Sequence, residues 1–309
     1  MRVIVVGLGT QGYKRRRVAG PDFVADVDPV NTEASYRRIE DVPRGDYDGA
    51  LLCVPDGAKL PLLEYLVDHG KHVLVEKPLV GDERQLLALE KKARDLGLLL
   101  YTAYNHRFEP HFVRMRELIA SGELGRIYHC RMFYGNGTAR LVRDSVWRDE
   151  GAGVLPDLGS HLIDTAGFWF GECAGSYRVV SSSCFENRAP DHVMVSARGA
   201  GPAIDMEMTL LSWRNHFTCD VLAEKGSAHI ASLCKWGPST FIHRRRVLPS
   251  GRPTEDVVTL EQADPTWALE YQWFKGACRE GRATDLANDI RINSRLRELS
   301  AQALAGRAK

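Results

Sequence analysis

A glycine-rich turn near the start of the chain has the residue types that hold a diphosphate. Gly7-Leu8-Gly9-Thr10-Gln11-Gly12 fits the pattern GxGxxG and lies between a short β-branched apolar run and a helical segment. Gly7 permits a tight turn, Gly9 lets the backbone approach a pyrophosphate, and Gly12 allows close helix packing. The N–H groups at the helix start, around Thr10 and Gln11, carry partial positive charge. The turn predicts a dinucleotide-binding site.

An aspartate follows at the distance where such sites bind ribose. Asp28 ends the second apolar run, about 20 residues after the turn, and its carboxylate can accept both ribose hydroxyls of an adenosine. Pro29-Val30-Asn31 follows without Arg or Lys, which favours NAD over NADP. The run Lys14-Arg15-Arg16-Arg17 predicts a solvated helix face, with the alternative that Lys14 or Arg15 adds charge near the diphosphate.

A lysine and an Asp-x-x-x-His pair supply the groups that alcohol dehydrogenation needs. The reaction removes a hydroxyl proton and stabilises negative charge on the oxygen. Lys77 follows an apolar strand, where parallel sheets bind ligands, so its ammonium can hold that oxygen. Asp157 and His161 are four residues apart and would share one face of a helix, with the imidazole as base. Gly151-Ala152-Gly153 lets this helix begin close to other backbone.

Each of these groups also has a structural interpretation. His161 could be a buried histidine satisfied by backbone, and Lys77 could form a surface ion pair with Glu76. Adjacent strand residues point to opposite faces of a sheet, which argues against that pair.

The elements that position these groups change in type along the chain. Five apolar runs alternate with helical segments in the first hundred residues: Arg2–Gly7, Phe23–Asp28, Gly49–Val54, Lys71–Val75 and Leu98–Tyr104. This alternation predicts a doubly wound parallel sheet in a Rossmann-type α/β domain over residues 1–105. Residues 106–309 predict an α+β domain with a large, mostly antiparallel open sheet, because strand patterns dominate there and Ala203–Leu211 alternates with a period of two.

The C-terminal segment returns to helical patterns. Asp264 and Pro265 predict a helix start, with the aspartate as N-cap, and Thr284 is expected to cap a final helix. We expect these helices to pack back on the first domain.

Composition excludes several other classes of protein. The chain has 309 residues, 41 basic and 40 acidic side chains and a net charge of +1, which argues against nucleic-acid binding. The first residues lack the features of a signal peptide, and the longest apolar stretch is far below the ~20 residues that span a bilayer. Seven scattered cysteines without metal-ligand spacing predict reduced thiols, a cytoplasmic location and no metal site.

Three further segments belong with the glycine turn: Glu76-Lys77-Pro78, Tyr104-Asn105-His106-Arg107-Phe108, and Gly153-Val154-Leu155-Pro156-Asp157-Leu158-Gly159-Ser160-His161-Leu162-Ile163-Asp164. In this order and spacing they resemble the glucose–fructose oxidoreductase / inositol dehydrogenase / MocA (Gfo/Idh/MocA) family. The resemblance covers essentially the whole chain. It implies a Rossmann domain, a C-terminal α+β domain whose open sheet makes the contact in a homodimer or homotetramer, and NAD(P)-linked chemistry on sugars, polyols or nucleotide-sugar derivatives.

The resemblance also implies roles for individual residues. It assigns Lys77, Asp157 and His161 to catalysis, and Val54, Pro55, Glu76 and again Lys77 to the cofactor alongside the glycine turn and Asp28. Asn105, Arg107, Trp147 and Arg148 are candidates for substrate contact, with core packing as the alternative for Trp147. The run His243-Arg244-Arg245-Arg246 predicts a solvated hairpin edge, or a contact to the diphosphate of a nucleotide-linked sugar.

The chain departs from the family at the third strand. It ends Cys53-Val54-Pro55-Asp56, where many relatives have a hydroxyl residue before the proline, so that cofactor contact falls to the backbone. The histidine that is usual in the following helix is absent, and Ala58-Lys59-Leu60 stands there.

The resulting hypothesis is an NAD-dependent dehydrogenase or reductase that transfers hydride between nicotinamide C4 and a secondary hydroxyl or keto carbon of a small sugar-like substrate. Two alternatives stay open: an NAD-dependent redox-assisted glycosidase, and a non-catalytic dinucleotide-dependent sensor. A sensor is expected to lose the lysine or the Asp/His pair, and this chain keeps all three.

Overall fold

The computed structural model describes residues 1–145, 149–171 and 175–305. The chain divides into two compact units. The first comprises Met1–Asn105 and Thr266–Asn293, and the second comprises His106–Pro265 and Ser294–Lys309.

The first unit is built on a parallel sheet of five strands: β1 (Val3–Val6), β2 (Phe23–Val27), β3 (Gly49–Leu52), β4 (His72–Glu76) and β5 (Leu100–Ala103). Their order is β2-β1-β3-β4-β5. Both faces of β1 are buried, since Ile4 and Val6 pack in one core cluster and Val3 and Val5 in another. The predicted doubly wound parallel sheet is confirmed; β1, β2, β3 and β5 are shorter than their apolar runs, and β4 is shifted by one residue.

Helices cover this sheet: α1 (Thr10–Ala19), α2 (Asp56–Asp68), α3 (Glu83–Asp95) and α7 (Thr266–Arg279). A capping box between Asp82 and Gln85 begins α3, which buries Leu86, Leu89 and Ala93. β2 lies on one side of β1 and β3 on the other, so the direction of strand addition reverses at β1. Open α/β sheets bind their ligands at the carboxyl ends of the strands beside such a reversal.

The second unit contains an eight-stranded sheet of order β13-β12-β11-β10-β6-β9-β8-β7. Its strands are β6 (Ile127–Gly135), β7 (Gly175–Ser183), β8 (His192–Gly199), β9 (Ala203–Thr209), β10 (His216–Ala223), β11 (Gly226–Ala231), β12 (Ser239–Arg245) and β13 (Thr254–Leu260). Every pairing is antiparallel except that of β6 with β9. The predicted, mostly antiparallel sheet is therefore confirmed.

Helical segments complete the second unit: α4 (Pro110–Ala120), α5 (Ala139–Arg143), a π-helical turn (Leu155–Gly159), α6 (Ser160–Phe170), and short 3₁₀ segments at Asn105–Phe108 and Cys234–Trp236. The last helix, α8, spans Ala287–Ala305. No helix in the described ranges is both long and apolar enough to cross a membrane.

Two predicted helix starts are wrong in detail. The first helix of the C-terminal segment, α7, begins at Thr266, so Asp264 is not its N-cap. Thr284 does not cap the final helix either. Its hydroxyl is fully buried, donates to Leu98 O and accepts from Leu100 N at the start of β5. A buried hydroxyl must find partners, and here the neighbouring strand supplies both.

Candidate active site

The glycine turn packs as its sequence predicts. Gly7 follows β1 with φ +91°, and a Cβ added there would lie 2.4 Å from Cys53 O. A Cβ on Gly12 would lie 1.9 Å from Gly7 O, so this glycine permits the close approach of α1 to the turn. A Cβ on Gly9 would meet nothing within 4 Å. Open space therefore lies above the middle of the turn, where the motif places a diphosphate.

The start of α1 is open in the same way. Gly9, Thr10 and Gln11 are exposed, no side chain caps the helix, and no acidic residue lies in its first turn. Its first N–H groups are thus available to an anion.

Asp28, directly after β2, organises the loop beside the turn. Its Oδ2 accepts from Leu8 N at 2.7 Å, and its Oδ1 accepts from Val30 N at 2.9 Å and Asn31 N at 2.8 Å. Burial alone would raise the pKa of this carboxyl, but the three backbone donors and the nearby Arg37 charge hold it below its ordinary value. A carboxylate has about four acceptor positions, so one stays available to a ribose hydroxyl.

Arg37 is a neighbour that the sequence search missed. Its Nη1 donates to Asn31 O at 3.0 Å. It is nine positions beyond Asp28 and therefore outside Pro29-Val30-Asn31, the segment from which NAD was predicted. Taken together, the open glycine turn, the uncapped helix and the ionised Asp28 fit NAD.

Val54 and Pro55 lie beside the turn. A Cβ on Gly7 would approach Val54 Cγ1 to 3.1 Å, and Pro55 is the exposed residue before α2. Cys53 N donates to Val6 O at 2.7 Å, which holds this segment against β1.

Glu76 and Lys77 lie at the same edge of the sheet as the glycine turn, because Glu76 is the last residue of β4 and Lys77 is the next residue. Glu76 Oε1 accepts from Arg15 Nε at 2.7 Å. Arg15 Nη2 donates to Glu270 Oε2 on α7, also at 2.7 Å. Arg15 is 0% exposed, so the predicted solvated face is wrong at this position, and the alternative of free charge at the diphosphate is unsupported because two carboxylates neutralise it.

This buried cluster holds one cation and two carboxylates. Burial raises the pKa of Glu270 to about 7, with the Glu76 charge adding to the rise and Arg15 opposing it. Arg15 itself has a raised pKa, because its two carboxylate partners outweigh the burial. The guanidinium stays charged, and Glu270 is the group that takes up a proton near neutral pH.

In the second unit, the backbone approach predicted for the glycine-rich segment is confirmed. Gly153 has φ +55°, and a Cβ there would lie 2.0 Å from Pro190 O. The next residue, Val154, donates its N–H to the same carbonyl at 2.9 Å.

Asp157 and His161 lie on consecutive elements rather than on one α-helix. Asp157 is in the π-helical turn, and His161 is in the first turn of α6, so the predicted α-helical face is wrong in its local geometry. A π turn widens the helix by one residue and is frequent at functional sites. His161 is 8% exposed.

The ring of His161 belongs to an aromatic cluster that the sequence did not predict. It stacks on His106, with centroids 4.1 Å apart and planes at 20°, and Tyr134 on β6 lies 5.9 Å away. Burial raises the pKa of Tyr134, and the Asp157 carboxylate raises it further. Tyr134 is therefore a neutral phenol close to both predicted catalytic residues of this unit.

Lys235 brings a cation to the cluster. Its Nζ lies 3.2 Å from His106 Nε2 and 3.5 Å from Tyr134 Oη, and it sits 4.5 Å above the Trp236 ring. With Lys235 as donor, Nε2 of His106 is an acceptor. His106 belongs to the segment Tyr104–Phe108 that carries the family resemblance, but no sequence pattern indicated Lys235.

The residues predicted to contact substrate differ in their surroundings. Asn105 Nδ2 donates to Thr266 Oγ1 at 2.8 Å in a buried position. Arg107 pairs in bidentate fashion with Asp164 on α6, at 3.0 and 2.5 Å. Trp147 and Arg148 lie outside the described residues.

The basic run on β12 is only partly solvated. Arg244 Nε donates to Glu255 Oε1 on β13 at 2.8 Å, as a hairpin edge would, but His243 is buried. In the three described ranges, no group of His, Cys, Asp and Glu is arranged to hold a metal ion.

Two family models match the chain. Residues 22–104 match an oxidoreductase family with an NAD-binding Rossmann fold, and residues 112–229 match the GFO/IDH/MocA C-terminal domain. The chain belongs to the Gfo/Idh/MocA oxidoreductase family. The first match begins after the glycine turn, so the assignment of that turn in this family member rests on its own geometry.

Curated members of the family are about 30% identical to this chain over aligned segments that cover about half of it. YdgJ, an uncharacterized oxidoreductase of Escherichia coli (strain K12), is 32% identical over 169 residues, which are 53% of this chain and 48% of that protein. Inositol 2-dehydrogenase of Rhizobium meliloti (strain 1021) is 29% identical over 157 residues, 48% of this chain and 47% of that enzyme. The chain thus spans about half the length of these relatives.

A solved structure supports the fold over the whole chain. Levoglucosan dehydrogenase in complex with NADH superposes with a TM-score of 0.82 at 19% identity, covering 99% of this chain and 97% of that one.

Proposed function

We propose that this Gfo/Idh/MocA protein is an NAD-linked dehydrogenase or reductase acting on a secondary hydroxyl or keto carbon of a sugar or polyol-like substrate. One observation carries the proposal. The glycine turn, Asp28 and Lys77 directly follow β1, β2 and β4, and the carboxyl ends of parallel strands lie at one edge of the sheet. Their common edge supports the proposed roles of the turn at the diphosphate, of Asp28 at the ribose and of Lys77 at the substrate oxygen.

The first unit supplies the groups that bind the cofactor. The N–H groups of Thr10 and Gln11 would hold the diphosphate over Gly9, and Asp28 would accept a ribose hydroxyl. When bound, NAD supplies a hydride acceptor or donor at its nicotinamide ring. The Asp28 carboxylate repels a 2′-phosphate and favours NAD, while Arg37 is the one feature found in its loop that favours NADP.

Lys77 and His161 divide the work on the substrate oxygen. The Lys77 ammonium holds the oxygen and stabilises its negative charge, and the His161 imidazole accepts the hydroxyl proton in the oxidative direction. Asp157 orients the substrate and balances the charge. His106 fixes the plane of the His161 ring by stacking beneath it.

The cluster around His161 supports a carbohydrate-like substrate. Trp236, which packs against the buried Tyr134, offers a ring face for the C–H surface of a sugar, and Lys235 offers a donor for its hydroxyl oxygens. Inositol and levoglucosan, in the names of the two characterised relatives, are compounds of this class.

We also propose that copies of the chain associate through the large sheet. Tyr128 on β6 and Leu222 on β10 are exposed, although they lie on central strands. Exposed apolar side chains on central strands are typical of a face that another surface covers. Light scattering should give a dimer or tetramer, and a monomer at micromolar concentration would refute this point.

A substrate screen tests the proposed activity. Sugars, polyols, uronates and nucleotide sugars are incubated with NAD⁺ and NADP⁺, and nicotinamide absorbance is followed for wild type, Lys77→Met and His161→Asn. We expect turnover by wild type and losses of about 100-fold or more in both variants. Release of an aglycone without net NADH would indicate the glycosidase, and tight NADH binding without any turnover would indicate the sensor.

A further inference from the structure

We propose that Lys59 is a positioning residue that fixes the loop carrying Lys77. The inference rests on the proposed function of Lys77.

The contacts of Lys59 lead directly to that loop. Lys59 is in the first turn of α2 and is only 2% exposed. Its Nζ donates to Pro78 O at 2.7 Å and pairs with Asp56 Oδ1, also at 2.7 Å. A single ammonium therefore links the loop after β3 to the residue that follows Lys77.

Burial of this ammonium is costly, so the surrounding structure must enforce it. Burial lowers the pKa of Lys59, the Asp56 carboxylate opposes that effect, and the nearby Lys77 charge adds to it. A second ammonium close to Lys77 is electrostatically unfavourable, and the geometry that compensates for it is the bond to Pro78 O and the ion pair with Asp56.

The loop is held on both sides of Lys77. Before it, Glu76 accepts from the buried Arg15. After it, Pro78 O accepts from Lys59, and Leu79 O accepts from Asn293 Nδ2 at 2.5 Å. The loop that carries Lys77 is thus held at one side chain before it and at two backbone carbonyls after it, by three separate side chains. Of these, Lys59 acts on the carbonyl nearest to Lys77.

Precise placement of Lys77 is what the chemistry requires. An ammonium stabilises a substrate oxygen only at hydrogen-bond distance, and a displacement of about 1 Å can cost about 100-fold in rate. A loop released from Lys59 is therefore expected to lower kcat while the glycine turn and Asp28 continue to bind the cofactor.

The chain offers a matched control in Lys71. Its Nζ also donates to backbone carbonyls, Arg44 O and Tyr47 O, both at 2.7 Å, and it is largely buried. It precedes β4, at the opposite end of the strand from Lys77. Lys71→Met removes the same kind of bond without touching the loop.

The test compares Lys59→Met and Lys71→Met by kcat, by NADH affinity and by hydrogen exchange at the Lys77 and Leu79 amides. We expect Lys59→Met to lower kcat about 10-fold or more, to leave NADH affinity within about 2-fold, and to speed exchange at both amides. Lys71→Met should lower thermal stability and leave kcat and that exchange unchanged. Lys59→Arg, which keeps donors and charge, should restore most of the kcat.

Equal kcat losses in the two methionine variants, or wild-type exchange in Lys59→Met, would overturn the proposal. Asp56→Asn is the second variant if Lys59→Met does not fold. It weakens the ion pair but keeps the lysine, and it should give a smaller change of the same kind. The exchange measurement requires no turnover, so a chain without dehydrogenase activity would refute the proposed function and leave the positioning result readable.

Discussion

Arg15 donates to Glu76, the residue directly before Lys77, across 2.7 Å in a position that solvent does not reach. The same guanidinium holds Glu270, which α7 contributes from the far end of the sequence. A basic residue next to the glycine turn therefore ties the edge of the sheet to the helix that returns to it. This role is structural rather than one of cofactor binding.

Removal of Arg15 should destabilise the first unit strongly. Arg15→Met leaves the buried Glu270 and the partly buried Glu76 without their cation, at a cost of about 3 to 5 kcal/mol in the free energy of unfolding. Chemical denaturation measures this loss. Arg17→Met, two residues along on the exposed side of α1, should change stability by less than about 0.5 kcal/mol. Similar values for the two variants would contradict the assignment.

Stability should depend on pH through Glu270. Its pKa rises from an ordinary value of 4.5 to about 7 in the folded chain, so between these values the folded state binds more protons than the unfolded state. The free energy of unfolding should therefore fall as the pH rises from about 4.5 to about 7. Glu270→Gln, which is neutral throughout, should remove this part of the slope in denaturation curves. A slope that persists in the variant would assign it to another group.

Asp28 should control the choice of cofactor. Asp28→Asn removes the charge that the ribose hydroxyls meet and weakens the bonds from Leu8 and Asn31, so NADH affinity should fall about 10-fold, and NADPH affinity less. Fluorescence titration gives both constants, with the exposed Asp46→Asn as control. Tighter binding of NADPH than of NADH by wild type would show that Arg37 outweighs the carboxylate.

Lys235 should matter for turnover more than for stability. Lys235→Met removes the donor that contacts His106 Nε2 and Tyr134 Oη, so the His106 ring that stacks on His161 is held less firmly. We expect kcat/KM to fall about 10-fold or more. The exposed Lys225→Met serves as control. An unchanged kcat/KM in Lys235→Met would exclude this role.

The sequence predicted the five parallel strands because each lies in a short, largely apolar run that is buried in the fold. The expected helix between β2 and β3 is missing, since the chain there forms only a short 3₁₀ turn at Ile39–Asp41. It did not predict β11 or β13, and of β12 it indicated only the hairpin edge at His243–Arg246. Gly226–Ala231 consists mostly of small residues, and only Ala228 and Ile230 alternate with polar side chains there. β13 is an edge strand whose residues are largely exposed, so it lacks the apolar alternation that marks a half-buried strand.

The same distinction applies to the site. The glycine turn, Asp28 and Lys77 were predictable because local sequence places them after strands. The Lys235 cluster was not, because sheet register brings it together. Phe217 on β10 pairs with Tyr134 on β6, and Phe217 O accepts from Ser232 N just before the turn that carries Lys235. The burial of Arg15 could not be predicted, because it is one of four consecutive basic residues and the helical turn of α1 directs this one toward the sheet.

The most direct test of the proposed activity follows the hydrogen itself. A substrate from the screen is labelled with deuterium at the carbon to be oxidised and is turned over with NAD⁺. The nicotinamide cofactor is then recovered, and its mass is measured by mass spectrometry. The account predicts NADH that carries one deuterium, formed by wild type and greatly slowed in Lys77→Met and His161→Asn. Product formation with unlabelled nicotinamide, or equal label transfer by all three proteins, would contradict it.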